Sequence, residues 1–270
     1  MIKKLIISNA LIAFLAWQFF EYIDYVLNVI TPESFAFDFE AIAVVNFVVL
    51  VSVVSLALAI FRNKRWELVT SGIVGIIFLL FFGWTYINLI GVLIAMSLFE
   101  YARFASVEEI DQRTKINSRM IVRRGATGVV LAFFVLVSFA AYQSPVAKGI
   151  AAAEQLPSAT QQLMRSVVES VIGTTETRKK TENTEKEKIV NEITSNVFQQ
   201  LNSFLKPYFR YAPPLLAFGL FLILWGLSWF FVWLSVLVGM GIFWILKKTG
   251  IVRIEEKDVK AEVLIVIGMI

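Results

Sequence analysis

The sequence predicts an all-α, polytopic integral membrane protein of about six transmembrane helices. Three observations carry that reading. The 270 residues are 58% hydrophobic and only 17% charged, with a mean hydropathy of +0.73, whereas a soluble domain is about 45–50% apolar and about 25% charged. The apolar residues are gathered into runs near the length of about 20 residues that crosses a bilayer core of about 30 Å. The segments between those runs carry Lys and Arg in clusters, as loops on one side of a membrane do. The aromatics, 14% of the chain and dominated by 24 Phe, suit lipid contact as well.

Element by element, the first run follows Lys3-Lys4 and extends from Leu5 towards residue 27. A charged start before an apolar stretch resembles a signal peptide, but Gln18-Phe19-Phe20-Glu21 is a poor cleavage region, so an uncleaved helix is expected. A second span covers 41–61 and stops at Arg62-Asn63-Lys64-Arg65. The next apolar stretch, Leu68 to Phe99, would be about 48 Å long as one helix, too long for the hydrocarbon at ordinary tilt. Two helices, 68–83 and 85–99, folded at Gly83-Trp84-Thr85-Tyr86 resolve this, because Gly punctuates and Trp and Tyr favour the interface. A basic loop, 100–124, follows, with Arg103, Arg113, Lys115, Arg119, Arg123 and Arg124, and then a span at 125–142.

Residues 143–212 form the largest hydrophilic region, expected to be extracytosolic and to hold two amphipathic helices. Leu156, Leu163, Val167 and Val171 mark the first; Ile189, Val190, Ile193, Val197, Leu201, Phe204, Leu205 and Tyr208 mark the second. The final membrane segment, 213–246, is overlong, and a single crossing at Trp225 to Leu246 behind an apolar entry segment is expected. The tail, 247–270, begins with Lys247-Lys248, and its alternation around Val259 to Val263 suggests a short β-hairpin. Residues 1–142 thus read as an N-terminal membrane domain. Placing every basic cluster in the cytoplasm gives six crossings with both termini inside, in a multi-pass protein of the plasma membrane.

The chain has no Cys and no His. That excludes thiol nucleophiles, disulfides, imidazole-ligated metals and Ser-His-Asp triads. No phosphate-binding Gly loop, metal-ligand spacing or nucleophile motif is present, so no catalytic, cofactor-binding or metal-binding residues are expected and the chain reads as non-enzymatic. The net charge of +4 reports loop anchoring rather than a nucleic-acid partner.

Ionisable groups within a span are costly and draw attention. Glu21, Asp24 and Asn28 share one helix face, the pattern of a polar or ion site, although Glu21 lies about 24 Å along the helix from Leu5, where a solvated carboxylate is the plainer account. Asn9, Asn46 and Asn88 are expected to bond other helices. Trp225, Trp229 and Trp233 stack along one face, suited to lipid contact and interface anchoring. Gly72–Gly75 and Gly239–Gly241 would let helices approach. The apolar stripe Ile189, Ile193, Val197, Leu201 and Phe204 is the candidate partner-contact face.

The expected role is therefore a scaffold, assembly factor or subunit of a membrane complex, contacting the lipid bilayer and protein partners or further copies of itself. A small-solute or ion transporter or channel built on Glu21, Asp24 and Asn28 is the alternative.

Overall fold

The computed structural model describes residues 2–29, 41–61, 64–112, 117–153, 161, 164–166 and 183–250. These form eight α-helices: α1 (Ile2–Val29), α2 (Ala41–Ile60), α3 (Lys64–Phe82), α4 (Tyr86–Gln112), α5 (Ser118–Tyr142), α6 (Pro145–Ala153), α7 (Asn183–Leu205) and α8 (Ala212–Lys248). A 3-10 turn, Lys206–Tyr211, joins α7 to α8. Six of them (α1 to α5 and α8) are long and apolar enough to cross a membrane, so the chain is a multi-pass α-helical membrane protein. The β-hairpin expected in the tail, and the Leu156–Val171 face, lie outside the described residues.

The six helices alternate in direction. α1 and α3 run parallel, since Asn9 meets Thr70 and Trp17 meets Phe81. α2, α4 and α8 run against α5: Phe47 packs on Phe133, Phe99 on Phe133, and Phe231 on Phe134. One end of the bundle thus gathers the start of α1, the start of α3, the end of α4, the start of α5 and the end of α8. The other end holds the α3–α4 turn, α6, α7 and the start of α8.

The α3–α4 turn falls where the sequence places it. Gly83 adopts φ +85°, a left-handed conformation that L side chains avoid, and its N–H closes α3 on the Leu79 carbonyl at 3.0 Å.

The polar segment 100–124 differs from its expected form. Most of its described residues are helical: α4 continues to Gln112 and α5 already begins at Ser118, where the Asn117 side chain caps the Arg119 N–H at 3.2 Å. The reason is visible in the pattern of burial. Ala102, Ala105, Ser106 and Glu109 are buried while Tyr101 and Phe104 are exposed, so this stretch keeps a helical face against the bundle after its mean hydropathy falls.

α8 is one unbroken 37-residue helix, about 55 Å long. No break separates the expected entry segment from the expected span at Trp225 to Leu246, and Pro stands at the second position of the helix, where the missing N–H costs no intrahelical bond.

The core is aromatic. Phe133 of α5 contacts Phe19, Phe20, Phe47 and Phe99, with centroids at 5.5, 6.1, 5.8 and 5.9 Å, and all five rings are buried. The phenylalanines read from composition as lipid-facing thus also supply the helix-to-helix packing, which in lipid rests on van der Waals contact rather than escape from water.

Candidate functional site

Glu21, Asp24 and Asn28 lie near the end of α1. Asn28 Nδ2 donates to Asp24 Oδ1 at 3.0 Å along the same helix, and Glu21 and Asn28 are exposed. Among the described residues, no group of three carboxylates is arranged to hold a metal ion.

The three asparagines each cross between helices. Asn9 Oδ1 accepts from the Thr70 hydroxyl at 2.9 Å, joining α1 to α3. Asn46 Nδ2 donates to the Leu15 carbonyl at 3.3 Å, joining α2 to α1. Asn88, fully buried, donates to the Phe82 and Gly83 carbonyls at 2.7 and 3.0 Å and fastens the start of α4 onto the end of α3. Gln143 Nε2, just beyond α5, donates to Asn88 Oδ1 at 3.3 Å and to the Thr85 hydroxyl, which completes a polar knot at that end of the bundle. Carbonyls freed by the turn are satisfied without water, as lipid surroundings require.

At the opposite end lies a charged cluster, most of it within the segment 100–124 expected as a basic loop. Lys64 Nζ of α3 pairs with Glu100 Oε1 of α4 at 2.8 Å, and Arg103 Nη2 stands 3.9 Å from the same oxygen. Arg124 Nε of α5 reaches Glu109 Oε2 at 3.0 Å, and its Nη1 stands 3.9 Å from Glu108 Oε2. Glu109 is 2% exposed. These pairs tie α3 to α4 and α4 to α5 at this end of the bundle.

Within the cluster, Glu67 is the unusual group. It is 2% exposed, and neither carboxylate oxygen has a hydrogen-bond partner among the described residues. Glu100, Arg103 and Lys64 are close enough to act on it electrostatically. Ser71, one turn along, bonds the Leu68 carbonyl at 3.3 Å instead. Arg103 Nε is likewise buried without a hydrogen-bond partner among the described residues. The signal for this cluster was present in the sequence as polar residues three apart, Glu100, Arg103, Ser106 and Glu109, each adjacent to the next along the helix.

The candidate contact face of α7 divides. Val190 and Thr194 are buried, whereas Ile193, Val197 and Phe204 are exposed and Leu201 is half-buried; the Ile189 side chain lies outside the described residues. Phe204 packs on Tyr208 of the 3-10 turn at 6.2 Å, so the apolar edge runs on toward α8. There Trp225, Trp229 and Trp233 are all exposed. Comparison with protein-family models, with curated proteins and with solved structures gives no match to this chain.

Proposed function

We propose that this protein is a non-enzymatic component of a membrane complex, a scaffold, assembly factor or subunit, whose α7 edge meets a protein partner or a second copy of the chain. The observation that carries it is the exposure of Ile193, Val197 and Phe204 on a helix that is not among the six candidate spans. A helix with an apolar edge needs something apolar against it.

The orientation proposed places both termini in the cytoplasm of a cell whose plasma membrane holds the protein. Lys64, Arg103, Arg119, Arg123, Arg124, Lys247 and Lys248 all belong to one end of the bundle, and an excess of Lys and Arg marks the cytoplasmic side. α7 then faces the outside.

A photo-reactive phenylalanine analogue placed at Val197 or Phe204 in intact membranes tests the reading. Discrete protein adducts are expected at both positions and not at Arg119, on the opposite end. Adducts with lipid alone would remove the partner-contact role.

A second reading, a small-solute or ion transporter or channel, is favoured by Glu67 more than by Glu21, Asp24 and Asn28. A carboxylate buried at the charged end of the bundle, whose oxygens have no hydrogen bond among the described residues, is the type of group that membrane proteins keep for handling ions. Glu67→Gln in reconstituted vesicles tests it: loss of an ion flux supports transport, and an unchanged flux eliminates this residue from it.

A further inference from the structure

Between the start of α4, the end of α5 and the start of α8 lies a groove of about 500 Å³. Ile87, Ile90 and Ile94 form one wall, Pro214, Ala217, Phe218 and Phe221 the other, and α5 the floor. Each helix contributes eight residues of rise, so the groove runs about 10 Å, roughly a third of the hydrocarbon depth, from the end that holds the Gln143–Asn88–Thr85 knot.

Its chemistry decides among occupants. The Ser138 hydroxyl, a polar group in the lining, is already spent on the Phe134 carbonyl at 2.7 Å. The other hydroxyl in the lining belongs to Tyr142, at the last residue of α5 and the Gln143 end of the groove; water needs two to four polar partners and finds at most this one. A polar or charged solute would leave its own donors and acceptors unmet. A partner's transmembrane helix calls for small residues that let backbones approach, yet these walls are built mainly of Ile and Phe. The lining also contains no charged side chain, so nothing there selects a headgroup.

We infer that this groove holds one hydrocarbon chain of a membrane lipid, drawn from the leaflet on the Gln143 side, as a bound ligand distinct from the lipid that bathes α8. Lipid at Trp229 or Trp233 meets an open convex face. A chain in the groove touches three helices at once and exchanges more slowly. Filling the groove gives a direct handle, because a Trp at Ala217 would occupy its space without disturbing the aromatic core around Phe133.

The test uses the full chain in phosphatidylcholine vesicles doped with a phosphatidylcholine bearing a diazirine on its acyl chain. Photolysis is expected to label residues 87–94, 135–142 and 214–221 at least fivefold more than the Trp225–Trp233 face. Ala217→Trp is expected to abolish that excess, while Leu222→Trp, exposed outside the groove, leaves it intact. Replacing the probe by its phosphatidylglycerol counterpart should change the labelling less than twofold. Even labelling around the bundle in the wild type overturns the inference without recourse to any variant. So does unchanged labelling in Ala217→Trp, or a co-purifying polypeptide that protects the groove and is lost on that substitution.

Discussion

α5 and α8 lie side by side, antiparallel, and are nearly equal in apolarity, with mean hydropathies of 2.0 and 2.3 over their best windows. Their surroundings are opposite: 78% of that window is buried in α5 and only 6% in α8. Apolarity alone therefore separates lipid from water but not lipid from protein, because a lipid tail is as apolar as a leucine. What distinguishes the two helices is side-chain size and its placement. α5 presents Gly125, Ala126, Gly128 and Ala132 to its neighbours, and a Cβ added at Gly128 would come within 2.8 Å of the Ala102 Cβ and 3.1 Å of the Leu98 carbonyl oxygen. α8 turns Trp225, Trp229 and Trp233 outward, and a Cβ at Gly226 would meet nothing.

The contrast can be broken at its strongest point with paired truncations. Phe133→Ala should destabilise the bundle by about 3 kcal/mol, since it empties a fully enclosed ring volume, whereas Trp229→Ala should change stability by less than about 0.5 kcal/mol. Detergent unfolding curves of the two variants measure this, and equal losses would show that the Trp229 face of α8 is packed against protein after all. Small-to-large changes give the next effect. Gly128→Leu should cost about 2 kcal/mol by forcing α4 away from α5, and Gly226→Leu should be near neutral. A neutral Gly128→Leu would mean that the α4–α5 approach yields easily.

The smallest expected effect tests the polar ends of α5 and α4. Gln143→Leu removes donors to Asn88 and Thr85 and should cost about 0.6 kcal/mol, the usual value of a hydrogen bond between membrane helices. The same unfolding curves, read beside those for a leucine at exposed Ser97, give the comparison; a loss no larger than at Ser97 would show that the knot is not holding the turn.

Much of the frame was legible in the chain itself. Run lengths near the bilayer thickness separated the spans, and the excess length of Leu68 to Phe99 required a fold at a residue free to turn, which Gly83 is. The helix-to-helix bonds of Asn9, Asn46 and Asn88 were legible because an amide in lipid has few partners except another helix. The α4–α5 connection was misjudged for a physical reason. Falling hydropathy marks the end of an apolar run and not the end of a helix: Tyr101 and Phe104 outside and Ala102, Ala105 and Glu109 inside keep one face of α4 against the bundle.

Sequence by itself thus determined that the chain is an α-helical membrane protein and that its basic residues cluster between alternate apolar runs. These are properties of single segments, set by helix rise, bilayer thickness and the cost of charge in hydrocarbon. Only the tertiary structure decided that α5 is central and α8 peripheral, that Glu67 is enclosed beside Glu100 and Arg103, and that three helices frame an apolar groove. Each of those depends on the approach of segments distant along the chain, where a difference of one methyl group sets the spacing of two helices and hydropathy is the same on either side.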